Sequence, residues 1–359
     1  MEIHDLIRAA IEHGASDLHL AVGIPPSIRV NGEILFLDRP VLTPEESRRL
    51  TFQLLTDAQK ERFERVKELD FATGADGLGR FRVNAYRARG CVECALRMIP
   101  VQVRSLDELG VPPVAKDLAM RSSGLILIAG PAGMGKTTTM AAMVDHINEQ
   151  KRCRIIIIED PIEYLHHHKK SVVIQREVGQ DPESDTHSFA AALVHALRQD
   201  PNVVCVGEMR DLDTFSIALT AAETGHLVLG TIHTQNTIHT ISRIVDVFPP
   251  AQQQQIRIQL ANCLGGVISQ ILLPKLSGDG LVLATEVMVC TPAIRRMIRE
   301  NKLEQMMYAL ETGSELCMRT MDSCLLELYE TGVIHYDVAV ARAVDPNRFR
   351  QLLDKRADK

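Results

Sequence analysis

The chain has 359 residues, 45% of them apolar, with 40 basic against 46 acidic side chains and a formal charge of −6. That length suits two or three domains with sizeable cores, and the acidic excess argues against a dedicated nucleic-acid or anionic-membrane binder. No apolar run approaches the roughly 20 residues of a membrane-spanning helix, the first residues lack a signal-peptide core, and the eight scattered cysteines form no disulfide framework, so a cytosolic chain is expected.

Ile3, Leu6, Ile7, Ala10 and Ile11 form a stripe at helical spacing, predicting a helix that ends at Gly14. Residues 16–20 alternate as a strand, and the segments 27–30 and 33–36 flank Asn31-Gly32, the signature of a type I′ hairpin. A helix over 44–55 and strands over 79–86 and 93–98 complete a small α/β domain over residues 1–100. Cys91 and Cys94 make a CxxC there, but no second ligand pair follows, so structural zinc is not expected. Residues 101–118, with Pro112-Pro113, read as an interdomain linker. Four apolar runs then alternate with helical stretches (125–129, 155–158, 203–206 and 227–232), which predicts a mostly parallel sheet covered on both faces in a core over 119–290. A long helix is expected over 251–272, followed by a hairpin turned by Gly278-Asp279-Gly280. The region 291–359 reads as helical, opening on Thr291 as N-cap, Pro292 at the first helical position and the apolar face Ile294, Met297 and Ile298.

Between the first of those strands and a helix stand Gly130, Pro131, Ala132, Gly133, Met134, Gly135, Lys136 and Thr137, a complete GxxxxGK[ST] loop, followed by Thr138. In that context the loop turns successive backbone N–H groups onto a β-phosphate at the positive end of the helix. Lys136 then neutralises β/γ oxygens, and the Thr137 hydroxyl suits Mg²⁺. Ligands in such sheets sit beyond the carboxyl ends of the strands, and those ends are acidic here: Glu159-Asp160-Pro161-Ile162-Glu163 after one run, Gly207-Glu208-Met209-Arg210-Asp211 after the next. Such carboxylates suit Mg²⁺ and the orientation of an attacking water, with Glu208 at a Walker B position. His226 precedes the following strand and His233 ends it, where an imidazole can meet a γ-phosphate.

These strings, with Ala15-Ser16-Asp17-Leu18-His19-Leu20 and the segment 293–300 (AIRRMIRE), resemble the secretion and pilus motor ATPases from about residue 3 to residue 335, and within them the type IV pilus retraction ATPases. The resemblance implies a PAS-like N-terminal α/β domain and a RecA-like P-loop domain with C-terminal helices. It implies a homo-hexameric ring with ATP and Mg²⁺ at subunit interfaces, working on an inner-membrane pilus platform protein as a cytoplasmic, membrane-peripheral motor, with a second retraction ATPase as potential co-worker. By the same resemblance Glu163 is the general base, Glu208 the Mg²⁺-associated acid, Glu159 part of the aspartate box, His233 the contact to the terminal phosphate and His226 its support. Which glutamate activates water stays open. Arg80, Arg82 and Arg97 of the first domain are candidates for reaching the phosphates, and Arg295, Arg296 and Arg299 form a basic face for a partner. Asn202 and Ser242 stand where the family usually has Asp, and the run His166-His167-His168 reads as a solvated loop rather than a metal site. The competing readings are a pilus-extension or type II secretion ATPase, which typically has a larger N-terminal region and a four-cysteine module not seen here, and a RecA-like nucleic-acid motor. The latter expects a basic, aromatic-bearing channel, whereas aromatics are 4% and Trp is absent. A non-catalytic scaffold is opposed by the presence of Lys136, Glu163, Glu208 and His233.

Overall fold

The structure, a computed structural model, describes all residues except 31, 76–77, 100–101, 180–183, 347–348, 351–352 and 354–359. Contacts divide the chain into two units, Met1–Gln102 together with Glu163–Leu165, and Val103–Ile162 together with His166–Lys359.

In the first unit, α1 (Ile3–Glu12) buries Ile3, Leu6, Ile7 and Ala10, while Ile11 at the edge of the stripe is exposed. Six antiparallel strands follow: β1 (Asp17–Leu20), β2 (Ser27–Val30), β3 (Glu33–Phe36), β4 (Glu68–Ala75), β5 (Gly79–Ala88) and β6 (Cys91–Ile99), in the spatial order β3-β2-β1-β6-β5-β4. This is the PAS-like unit. The β2–β3 hairpin forms as expected, although Asn31 of its turn lies outside the described residues. Helices α2 (Pro44–Phe52) and α3 (Asp57–Val66) each open on a capping box, Thr43 with Glu46 and Thr56 with Gln59. Sequence reasoning passed over α3 and β4. The buried face of α3 is only Gln59 and Phe63, too thin to register as a stripe.

The second unit holds α4 (Val114–Ala119), β7 (Gly124–Ala129), α5 (Lys136–Gln150), β8 (Arg154–Glu159), β9 (Val172–Glu177), α6 (Phe189–Ala196), β10 (Val203–Val206), α7 (Leu212–Glu223), β11 (Leu227–Ile232), α8 (Thr237–Asp246), α9 (Pro250–Cys263), β12 (Leu264–Pro274), β13 (Leu281–Val289), α10 (Pro292–Arg299), α11 (Met306–Thr312), α12 (Met321–Glu330) and α13 (Tyr336–Arg342). The sheet order is β13-β12-β7-β11-β10-β8-β9, parallel throughout except for the antiparallel edge strand β13. Alternate residues of each inner strand feed opposite layers. Leu125, Leu127, Ile156, Val204 and Val228 pack on the side of α6, α7 and α9, whereas Ile126, Ile128, Ile155, Val203 and Leu229 pack on the side of α4 and α5. Burial on both faces is why these strands read as unbroken apolar runs.

The expected helix over 251–272 is overturned in its second half: α9 stops at Cys263, and β12 starts at Leu264. An apolar run buried on both sides carries no period to separate helix from strand. Gly265 and Gly266 give the physical reason for the strand, because a Cβ at Gly265 would stand 2.6 Å from the Ile126 side chain, and one at Gly266 would stand 3.0 Å from the Leu118 side chain and the Met288 carbonyl. The glycines admit β12 against β7. No helix among the described residues is long and apolar enough to cross a membrane.

Candidate nucleotide site

Residues 130–135 leave the carboxyl end of β7 and enter α5 at Lys136, with Gly135 in the left-handed region (φ 75°) as N-cap. Pro131, Ala132 and Gly133 are exposed, so the loop presents its backbone outward while its root is clamped. The clamp is Gln270 of β12: its Nε2 donates to the Met134 carbonyl at 2.6 Å, and its own carbonyl lies where a Cβ on Gly130 would come within 2.4 Å. Gln270 is fully buried, next to Ser269, in a strand whose other side chains are apolar. Sequence reasoning missed it, yet a polar residue inside an apolar run was a readable signal, since most buried side-chain polar atoms have a partner; here Nε2 has the Met134 carbonyl while Oε1 has none among the described residues.

Lys136 is 6% exposed, and its ammonium donates to the Pro131 carbonyl at 2.8 Å and faces His233 Nδ1 at 3.2 Å. An ammonium has no lone pair to offer, so His233 Nδ1 accepts and its proton resides on Nε2. That Nε2 lies 3.8 Å from Glu208 Oε1. Burial and the Lys136 charge push the His233 pKa down, against an upward pull from Glu208, which keeps the imidazole neutral. Three residues far apart in the sequence thus form one line from the loop through the end of β11 to the end of β10.

The strand ends carrying these groups are stitched together. Thr231 Oγ1 donates to the Gly207 carbonyl, Met209 N to the Thr231 carbonyl at 2.9 Å, and Gly207 N to the Ile158 carbonyl at 2.8 Å. Gly207 also lies against Glu159, whose Cα would be 3.2 Å from an added Cβ. Glu159 is 6% exposed and accepts from Gln175 Nε2 of β9 at 3.2 Å. Thr137 and Thr138 stand in the first turn of α5 beside Lys136.

His226 lies elsewhere. It precedes β11, with its backbone N–H donating to the Ala221 carbonyl and its ring Nδ1 3.1 Å from the same oxygen. The length of the strand, about 20 Å, separates it from His233. Arg80 and Arg82 on β5, Arg97 on β6, and Glu163 all belong to the first unit.

Several of the remaining singled-out residues have structural partners. Asn202 Oδ1 accepts from Arg154 N at 2.9 Å, and the Ser242 hydroxyl faces the Ile238 carbonyl at 3.4 Å. His168 Nδ1 accepts from Val173 N at 3.1 Å, and no cluster of three potential metal ligands occurs among the described residues. Burial pushes the Cys94 thiol up to about 12. The expected basic face of 295–299 needs correction, because Arg295 turns inward and donates to the carbonyls of Ala261, Asn262 and Leu264 at the end of α9. Arg296 pairs with Glu300 at 2.7 Å, and Arg299 is exposed.

A phosphate loop at the head of a doubly covered parallel sheet, with a carboxylate and an imidazole at the neighbouring strand ends, defines a RecA-like P-loop ATPase. The family model described as type II/IV secretion system protein matches residues 2–337. The chain is 45% identical over 349 residues to the type IV pilus retractation ATPase PilT of Pseudomonas aeruginosa, covering 97% of this chain and 100% of that one. It is 37% identical to the type IV pilus ATPase PilU of the same organism, covering 98% of this chain and 91% of the other. The crystal structure of the pilus retraction motor PilT with bound ADP superposes with a TM-score of 0.90 at 48% identity, covering 98% of this chain and 99% of that one. The chain belongs to the type II/IV secretion system protein family.

Proposed function

We propose that the chain hydrolyses ATP to drive retraction of type IV pili, the movement that underlies twitching motility. The observation that carries this reading is the likeness to the Pseudomonas aeruginosa retraction ATPase over 97% of this chain, which takes in the line from Lys136 through His233 to Glu208. ATP phosphates would take the exposed loop's N–H groups, and Lys136 would exchange the Pro131 carbonyl and His233 Nδ1 for β/γ oxygens. His233, released from Lys136, would then face the terminal phosphate. A hydroxyl on Thr137 and the carboxylate of Glu208 are hard oxygen donors of the kind Mg²⁺ takes, and the ion would supply charge neutralisation at those phosphates. Glu163 is the proposed general base, Glu159 the residue that fixes the strand end beside Glu208, and His226 a support for β11 rather than a phosphate contact.

The working unit is a homo-hexamer in which Arg80, Arg82 and Arg97 of one chain reach the nucleotide on the next. Residues 1–100 and 119–290 act as two domains joined over 101–118, the hinge lying ahead of Leu106, Val111 and α4, which pack into the core of the second unit, with 291–359 as a helical appendage. Binding would favour a closed arrangement of the domains and hydrolysis would release it. The motor is cytoplasmic and peripheral to the inner membrane, where it acts on the pilus platform protein. The likeness to PilU supports a second ATPase as co-worker. Two experiments test the reading. Lys136→Ala must abolish ATP turnover in a protein that still folds. Loss of the gene must leave surplus surface pili that do not shorten; cells without pili would instead show an extension motor.

A further inference from the structure

Four side chains stand side by side across the sheet of the first unit. Asp17 on β1 is paired in register with Arg29 on β2 and with Arg97 on β6, and Arg97 is paired with Arg82 on β5. Residues in one register row of adjacent strands share a face, so the row reads Arg, Asp, Arg, Arg. Two arginines directly opposite each other repel, and the row holds a single carboxylate to offset them.

That carboxylate is asymmetrically placed. Asp17 is 10% exposed at its side chain and Arg97 69%, so the root of the pair is fixed and its tip is open. Arg97 donates through Nε to Asp17 Oδ1 at 2.9 Å, and Ser16 Oγ donates to Asp17 Oδ2 at 2.7 Å. Arg29 turns away, donating to the Gly32 carbonyl at 2.6 Å. Burial pushes the Asp17 carboxyl up, but the Ser16 hydroxyl and the Arg97 guanidinium outweigh it and keep the group ionised. An arginine that gives its Nε to a buried carboxylate keeps both Nη groups for a second anion, in the planar fork that matches a phosphate. Among the described residues, neither Nη of Arg97 has a hydrogen-bond partner.

We propose that Asp17 is a positioning residue for ATP hydrolysis: it holds Arg97 by Nε so that the paired Nη groups meet the terminal phosphates of a nucleotide bound by an adjacent chain. The proposal rests on the reading of Arg97 as a phosphate-reaching residue. Removing a partner that orients a site residue typically lowers activity 10- to 100-fold, and a displaced charge donor has an effect of similar size.

The test is a double-mutant cycle on the full chain, with steady-state ATP turnover and binding of a fluorescent ADP analogue as readouts. Asp17→Asn should lower kcat about tenfold and leave ADP-analogue affinity at the phosphate loop unchanged. Arg97→Ala should lower kcat at least as far, and adding Asp17→Asn to it should change nothing further, because the carboxylate acts only through the arginine. Turnover of D17N at the wild-type rate while R97A is slow overturns the proposal alone, as does a double variant well below R97A, which marks an independent structural role. Wild-type turnover of R97A overturns the arginine reading and this proposal with it. Should D17N not fold, Ser16→Ala, which removes only the hydroxyl that orients the carboxylate, must lower kcat in the wild-type background and leave R97A unchanged, or the proposal fails.

Discussion

Replacing Gly130 by alanine tests the clamp at the root of the phosphate loop. Its φ is +150°, and a Cβ there would stand 2.4 Å from the carbonyl oxygen of Gln270 and 3.5 Å from its carbon. That carbonyl belongs to β12, which is paired on one side with β7 and on the other with β13, so it has little room to yield. Restoring ordinary contact takes a shift of about 1 Å, with overpacking costing about 1–3 kcal/mol and the unfavourable backbone region a further 1–3 kcal/mol or so. The sum is about 2–6 kcal/mol. Gly133 in the same loop is the control: its φ is +75°, but nothing lies within 4 Å of its added Cβ, so Gly133→Ala should cost only about 1–2 kcal/mol. Urea unfolding of the two variants without nucleotide measures the difference, and titration with a fluorescent ADP analogue measures its consequence. G130A should lose about 100-fold in affinity because the loop is displaced from its N–H cradle. If G130A is as stable as G133A, the loop is not seated on Gln270 and the clamp is wrong.

Three further outcomes follow from named contacts. His233→Ala should lower turnover about 100-fold while ADP-analogue affinity changes less than threefold or so, and unchanged turnover would remove the imidazole from the reaction. Burial pushes the His166 pKa from its ordinary 6.5 to about 4, and Nδ1 is buried without a hydrogen-bond partner among the described residues. The unfolded chain therefore takes up a proton that the folded chain refuses, so the stability from this neutral imidazole is present above the ordinary value and is lost as pH falls. Between pH of about 7.5 and 5 the loss amounts to about 2 kcal/mol; urea midpoints at the two values should converge in His166→Gln, and equal slopes in both proteins would refute the assignment. Arg295→Ala removes donors to three carbonyls at the end of α9 and should cost about 2 kcal/mol, whereas Arg299→Ala at an exposed position should leave the melting temperature unchanged; equal melting temperatures for the two variants would count against the cap.

The parallel core was legible because its strands are buried on both faces and flanked by helices, so β7, β8, β10 and β11 stand out as apolar runs. The phosphate loop was legible because its chemistry needs glycines and a lysine at fixed spacing. Elements with thin or split patterns were not. The buried face of α3 is Gln59 and Phe63 alone, and β12 continues an apolar run begun by α9, so only its contacts with β7 distinguish strand from helix. The same strand supplies Gln270, which no local rule could join to Met134, 136 residues away.

Sequence by itself determined which groups this protein owns: a lysine on a phosphate loop, carboxylates and a histidine at strand ends, and arginines on two N-terminal strands. These follow from local periodicity and spacing. Tertiary structure alone decided their state, because tautomer, protonation and orientation depend on neighbours brought together by sheet order. The order places β7 beside β11 and β11 beside β10. His233 is neutral because burial and the Lys136 charge outweigh the upward pull of Glu208 where these groups meet at the strand ends, and Arg97 is oriented because β1 brings Asp17 into register with it.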